Sequence, residues 1–568
     1  MAAITPSTNV KLLKLPIELD NENQLTFASA TAQYNYFNSL TKLSVDNFTY
    51  QRKDGVIRFP ANVDDVIQYN YVMYQNTAFS NKWFYAYVDK MEFVNPGTTD
   101  VYIRTDPFQT WQFDITFQKS FVEREHVNDD TIGKHTVPEG LDLGEYEIQS
   151  ASYLDLIDSN PPSGVGKWWI CVSVTQPPYT DMNTLIPSNS YDIGDVPTGL
   201  LNFAIPIDSD TTGSYASLRK ILLFYNTEKQ PGEGGTSADA LLNIYLIPYT
   251  CVNTSDHQTW SHTYGNDTYS VTIYGIYPKI SFSNAAVEQS TKLAENFSPT
   301  NNKLYTYPFS YLYLSNKAGQ NVIYKWEDGK TVTATTGKTG KQYKFDTTIV
   351  PSTSLSAKLY PTTYKTQTPL TVPESMWNYG VNFAKIPVSA WVTDYYTNWL
   401  TQNAVNMAAG VVGSTSSSIL TGSYAGGAEG AAAMGAGSFV KSTIGALGET
   451  YKASTIPDQA HGDLNVGDAL YAATKCSITA YNMTVRPEVA TIIDNYFNMF
   501  GYKVNITKIP NITGRANWNY VKTIRGKIHG YIPKEDLNTI TEMLDNGVTF
   551  WHNASTFLDY SQSNAITT

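Results

Sequence analysis

WFYAYVDKMEFVNPGTTDVYIR, residues Trp83–Arg104, decides the fold class of this chain. Two strands, WFYAYV (Trp83–Val88) and DVYIR (Asp100–Arg104), flank the turn Asn95-Pro96-Gly97. A third follows after Asp106-Pro107: in WQFDITF (Trp111–Phe117), Trp111, Phe113, Ile115 and Phe117 alternate with Gln112, Asp114 and Thr116, the period of two of a half-buried strand. An antiparallel meander is predicted. Further short strands are expected at Trp168–Val174, Ile221–Tyr225, Leu241–Pro248, Tyr269–Tyr277, Lys303–Tyr313 and Gln320–Trp326, between turn-rich pieces such as Asn160-Pro161-Pro162-Ser163-Gly164. Many short strands at regular spacing imply β-sandwiches or barrels.

The character changes near the C-terminus. After Arg486-Pro487-Glu488, Val489, Ile492, Ile493, Tyr496, Phe497 and Phe500 fall at helical spacing, with proline in the first turn and Gly501 just past the end. Strands are expected at Tyr502–Ile509 and Tyr520–Ile528, and a second helix from Pro533 to Leu544, stopping near Asn546-Gly547 before GVTFWH. The chain is therefore mainly β with an α+β C-terminal block.

Length and composition bound the function. At 568 residues the chain exceeds the size at which single cores stop growing, so several domains are expected. Its three cysteines, Cys171, Cys251 and Cys476, are widely spaced and odd in number, which suits buried free thiols better than a disulfide framework. Forty-one tyrosines and only 16% charged residues suit broad contact surfaces. A net charge of −12 argues against gripping nucleic acid, which works by cationic neutralisation of phosphates. No apolar stretch of signal-peptide length precedes Glu18 and Asp20, so synthesis in a cytoplasm is expected.

Between the middle and the C-terminal block, Ala404–Gly448 becomes small, apolar and nearly uncharged. Gly and Ala fill 20 of its 45 positions, and Glu429 and Lys441 are its only charges. A water-exposed tether is expected to be more polar, so the segment reads as a sheltered element that is exposed conditionally. Its candidate membrane-penetrating residues are Ala404, Val405, Met407, Val411, Val412, Ile419, Leu420, Ala431, Ala432, Met434, Phe439, Val440, Ile444 and Leu447. Ala404–Leu420, if helical, spans about 26 Å, slightly short of a roughly 30 Å hydrocarbon core. A return limb from Ala431 to Leu447 after a turn at Gly426-Gly427 gives a hairpin. Gly422, Gly426 and Gly430 have the four-residue spacing that lets helices approach closely in lipid.

Three clusters resemble the tail-knob, or distal tail tube, proteins of small short-tailed bacteriophages that prime DNA replication with a protein. The first comprises NYVMYQN (Asn70–Asn76), KWFYAYVDKMEFVN (Lys82–Asn95), DPFQTWQFDITF (Asp106–Phe117) and SFVEREHV (Ser120–Val127). The second is RPEVATIIDNYFNMFGYKVN (Arg486–Asn505) with NWNYVKT (Asn517–Thr523), and the third GVTFWH (Gly547–His552). The apolar segment lies where that family carries its long hydrophobic loop. The resemblance implies a virion protein of the tail tip, a multi-domain β-barrel or sandwich tube subunit assembled as a homohexamer. Its loops plug the DNA channel, then emerge and breach the host cell membrane. The implied partners are an adjacent tail or collar tube protein and phage DNA that passes the lumen without tight binding. The expected domains are a tube-wall β domain (1–160), knob β domains (161–400), the hydrophobic loop (401–455) and an α+β block completing the tube wall (456–568).

Other chemistry finds little support. His126 and His135 near Asp129 and Asp130, and the pair His257 and His262, form no metal-binding motif, so structural roles are expected and no metal or cofactor is implied. Asp142, Glu145 and Glu147 read as solvated loop residues rather than a glycosidase pair. Gly337-Lys338-Thr339 lacks the opening glycine of a phosphate-binding loop, Val332 standing in its place, and reads as a hairpin turn. Lys503, Lys508, Arg515, Lys522, Arg525 and Lys527 alternate with apolar residues as a solvated strand face does. Two rivals to the tube remain: an adhesin whose tyrosines recognise cell-wall glycan, and a wall hydrolase, for which no catalytic constellation is present.

Overall fold

The computed structural model describes residues 8–48, 55–77, 80–157, most of 161–362, 380–383 and 476–567. The Gly/Ala segment, with all its candidate membrane-penetrating residues and hinge glycines, lies outside the described residues. The chain divides into two units. The first unites 1–145, 295–309 and 485–568, and the second holds 146–294 and 310–484. By contact, the stretch 295–309 groups with the terminal blocks, and the strand Ser477–Val485 belongs almost wholly to the second unit.

In the first unit, β1 (Thr8–Leu13), β2 (Asn23–Leu25), β3 (Lys42–Phe48), β4 (Val56–Phe59), β5 (Tyr71–Asn76), β6 (Trp83–Asn95) and β7 (Thr98–Thr105) lead into β8 (Ile115–Phe117) and β9 (Ser120–Glu125). A six-stranded antiparallel sheet runs β3-β1-β5-β6-β7-β4. One face places Val10, Leu12, Val72, Tyr74, Phe84, Ala86, Val101, Ile57 and Phe59 in a single core. The other packs Leu13, Tyr71, Met73 and Tyr85 against Phe37 of the helix Ala30–Ser39 and against Trp518 and Trp551. Burial on both faces explains why WFYAYV is apolar almost throughout rather than alternating.

WQFDITF is not one strand. Asp106 caps a short helix, Pro107–Trp111, its Oδ1 accepting the Gln109 N–H at 3.1 Å, and β8 begins only at Ile115. An Asp-Pro pair at N-cap and first turn thus overrides the alternation. Ile221–Tyr225, an apolar run that suits helix and strand alike, lies in the helix Ala216–Asn226. Lys303–Tyr313 is likewise divided between a 3₁₀ turn, Asn302–Tyr305, and the strand Ser310–Ser315.

The C-terminal elements follow the expected order. The helices Pro487–Phe500 and Lys534–Asn546 end at Gly501 and Gly547, both with positive φ. At Gly501 a Cβ atom would stand 2.2 Å from the Glu125 carbonyl oxygen, so only glycine fits. The helix buries Ala490, Ile493, Asp494 and Phe497, whereas Ile492 is 69% exposed. The strands Tyr502–Lys508, Trp518–Ile524 and Val548–Trp551 join β9 and β2 in one sheet, so distant parts of the chain share a fold.

The second unit is built of antiparallel sheets. Trp168–Val174 and Leu241–Pro248 form strands with the expected bounds and pair with each other. All three cysteines are free and buried in its main core.

Candidate functional site

The described residues on either side of 384–475 lie in the second unit. On the outgoing side, Val381 pairs with Leu359, and the Phe383 N–H donates to the Ala357 carbonyl at 2.9 Å. Between them, Asn382 is read by two side-chain amides: Asn316 Nδ2 donates to its carbonyl at 2.9 Å, and Gln320 Oε1 accepts its N–H at 2.8 Å. Asn316 and Gln320 are themselves tied, through the Asn316 N–H to the Gln320 carbonyl (3.1 Å) and the Gln320 N–H to Asn316 Oδ1 (3.0 Å). The turn holding Asn382 follows directly on the strand Ser310–Ser315.

The returning chain meets that same strand. Ser477–Val485 pairs with Ser310–Ser315, Thr479 lying opposite Ser315. Cys476, the first residue before it, is fully buried, and its carbonyl accepts the Leu156 N–H at 3.0 Å. Burial pushes its thiol up to about 12, so it stays an unreactive core side chain. Phe383 and Cys476 share one hydrophobic core with Leu312, Leu314 and Ile478.

The first unit holds a second constellation, a buried charge cluster that draws three stretches of chain together. The Glu139 carboxylate meets Arg124 through one oxygen and Lys303 through the other, and the Lys503 N–H donates to it at 3.0 Å. The Glu139 and Lys303 side chains are 1% and 2% exposed. Arg124 Nη1 continues to the Gly501 carbonyl at 2.8 Å. Alongside, Asp130 accepts from the Asn302 N–H (2.9 Å) and the Tyr502 hydroxyl (2.7 Å), and Asp494 from the Thr300 N–H (2.8 Å) and the Asn301 N–H (3.0 Å). Burial raises the Asp130 carboxyl and lowers the Lys303 ammonium. The cluster therefore staples 295–309 to both the N- and C-terminal blocks.

His126 works in the same seam. Its Nε2 faces the Asn498 carbonyl at 3.0 Å, and its Nδ1 accepts the Tyr520 N–H at 2.7 Å. Both ring nitrogens are taken by backbone, so the ring is a fastener between β9, a helix and a strand. Burial, with Arg515 and Arg124 nearby, lowers it to about 3. A histidine held neutral contributes stability that is present above its unfolded value of about 6.5 and is lost as pH falls toward 3, up to about 1.4 kcal/mol per pH unit. Denaturant melts at pH 7 and pH 4.5 should therefore show a loss through this residue on the order of 2–3 kcal/mol, absent in His126→Gln. An equal loss in both proteins would rule the residue out.

The remaining candidates are accounted for by their surroundings. His135 Nε2 contacts the Asp129 carbonyl at 2.8 Å, His262 stacks on Tyr179 at 3.8 Å, and His257 lies against Tyr274. Glu145 pairs with Arg486 at 2.5 Å, and Asp142 accepts the Gly144 N–H at 3.1 Å. Thr339 lies opposite Thr333 in a hairpin, with Gly337 and Lys338 outside the described residues. Lys508 and Lys522 pair with Glu125 and Glu123, and Arg515 donates to the Val127 carbonyl at 2.7 Å. Two of the six basic residues are thus paired with carboxylates and a third is held by a backbone carbonyl.

Comparison with known proteins places this architecture. A family model described as the C-terminal domain of the Bacillus phage phi29 tail knob protein gp9 matches residues 274–565, just over half of the chain. The chain belongs to the phage tail knob proteins. A second model, the caudoviral major tail protein N-terminus, matches residues 6–117. The tail knob protein gp9 of Bacillus phage B103 is 25% identical over 618 residues, covering 98% of each chain. That of Bacillus phage phi29 is 25% identical over 606 residues, covering 96% of each. The solved structure of the bacteriophage C1 tail knob protein gp12 has a TM-score of 0.58 at 13% identity, covering 99% of this chain and 100% of the other, a likeness of fold alone. This tail knob protein is accordingly a structural component of the virion tail and not an enzyme.

Neither the clamp on Asn382 nor the Glu139 cluster was foreseen. Asn316 and Gln320 bracket a visible turn after the alternating SYLYLS, but their partner lies some sixty residues on, beyond any local pattern. Lys303 and Glu139 carry no sequence signal of burial.

Proposed function

We propose that this tail knob protein is a ring-forming tube subunit, a homohexamer at the tail tip, whose Gly/Ala segment plugs the DNA channel before infection and inserts into the host membrane on ejection. The observation that carries this reading is the common root of the excursion: Phe383 and Cys476 are held in one core beside one strand end, so 384–475 can change surroundings without unfolding the second unit. The first unit, joining the N-terminal sheet to the C-terminal block, is the tube wall. The second is the knob. An adjacent tail or collar tube protein continues the wall, and DNA passes without being held, in keeping with the net charge of −12.

No helix among the described residues is long and apolar enough to cross a membrane, so the membrane role rests on the Gly/Ala segment. Glycine costs about 1 kcal/mol relative to alanine in a helix, so these limbs need neighbouring copies or lipid to hold a helical shape. Glu429 and Lys441 must then face a wet lumen or an interface, since charge at mid-bilayer costs about 2.5–3.5 kcal/mol. Substituting Val411, Val412, Ile419 and Leu420 together by aspartate should reduce dye release from liposomes at least tenfold at unchanged assembly size. Undiminished release would remove the segment from the mechanism.

A further inference from the structure

One sheet of the second unit carries tyrosines on the face turned away from the core. Its strands are Tyr146–Asp155, Ser477–Val485, Ser310–Ser315 and Asn321–Lys325, in that order. Leu154, Ile478, Leu312 and Tyr324 belong to the main core of the unit, so alternation sends their neighbours in sequence to the opposite face. There Tyr481, Tyr313 and Ile323 stand in register across three strands, and Thr479, Ser315 and Asn321 form the next row. Tyr153, directly before the buried Leu154, joins this face from the fourth strand and is 56% exposed, while Ile323 is 49% exposed. The Tyr313 and Tyr481 rings lie 6.2 Å apart between centroids, with their planes 38° from each other.

Size and charge restrict what covers this face. With strands about 4.8 Å apart and a rise of about 3.4 Å per residue, the rows of four strands cover roughly 200 Å². A stable protein interface needs about 800 Å² per partner, so the platform suits a smaller occupant. Ionisable groups stand at its border: Glu147 and Asp155 near the two ends of one outer strand, and Lys325 at the end of the other. Two carboxylates against one ammonium disfavour a polyanion. Two polar atoms on the same face, Ser477 Oγ and Gln149 Oε1, have no hydrogen-bond partner among the described residues. The occupant that fits is therefore uncharged, presents flat C–H faces to the electron-rich faces of the tyrosine rings, and carries hydroxyls that donate and accept at their rim.

We propose that this face binds an extended, uncharged glycan, with sugar rings stacked on Tyr481, Tyr313 and Tyr153 and hydroxyls met by Ser315 and Asn321. A chain of linked sugars is narrow enough to lie across the four strands, and each ring pairs an apolar face with a polar edge, as the platform does. The second unit thereby gives this tail knob protein a hold on surface polysaccharide. That role is independent of the ring and channel reading above.

The test titrates the full chain calorimetrically with two uncharged probes, chitohexaose and cellohexaose. Saturable binding of at least one of them is expected, weakened at least tenfold in Tyr481→Ala and in Tyr153→Ala and changed less than twofold in Tyr481→Phe, which keeps the ring. Tyr153 is the safer of the two sites for folding, since its side chain is largely in solvent, and an unchanged melt in Tyr153→Ala shows that a loss of binding is local. No binding of either probe at about 1 mM, an affinity limit of about 4 kcal/mol, would overturn the proposal. So would binding that both alanine variants leave intact, or alanine variants that change the assembly size while the probes bind as before, which would make the face a contact between copies.

Discussion

Replacing Glu139 by leucine is expected to destabilise the protein by about 3–5 kcal/mol, the cost of leaving buried charge without its counter-ion. The substitution strands Lys303, whose side chain is 2% exposed, and Arg124, and leaves the Lys503 N–H without its acceptor. The damage should centre on 295–309, which depends on Glu139, Asp130 and Asp494 for its attachment. Glu123→Gln is the control, because its pair with Lys522 spans 3.4 Å between side chains 28% and 37% exposed, and such surface pairs contribute about 0–1 kcal/mol. Denaturant titration of both variants checks the contrast. A Glu139→Leu loss within 1 kcal/mol of the control would mean that the cluster does not fasten the three stretches.

Deleting Ala404–Gly448 should have the opposite profile: little effect on folding or assembly and complete loss of DNA delivery. The clamp on Asn382, the strand Ser477–Val485 and the core around Phe383 and Cys476 all lie outside the deletion. Shortening a connection fastened at both ends changes loop-closure entropy only slowly, by about 0.6 kcal/mol per halving of length. The melting temperature should therefore move by only a few degrees, while particles assembled with the deleted protein adsorb to cells but do not deliver their genome. Delivery at wild-type level would show that the segment is dispensable.

Much of the β framework was legible because the strands carry their own local signals. Trp168–Val174 and Leu241–Pro248 are apolar runs between turn residues, and the helix ending at Gly501 announces itself by proline at one end and glycine at the other. Failures arose where a short-range signal competed with the alternation, as at Asp106-Pro107, or where an apolar run suited helix and strand alike, as at Ile221–Tyr225. Ile492 fell on the expected apolar face but is exposed, and Asp494 is buried in its place because the backbone of 300–301 donates to it. Such pairings across long separations leave no local trace. The same holds for the amide clamp on Asn382, which fixes the root of the segment whose composition was the clearest signal of all.

Electron microscopy of the purified assembly reports its symmetry and its channel together. Six-fold class averages around an axial channel are expected, with density across the channel in the full-length protein and an open channel once Ala404–Gly448 is deleted. Particles without an axial hole, or a channel equally blocked after the deletion, would contradict the proposed function.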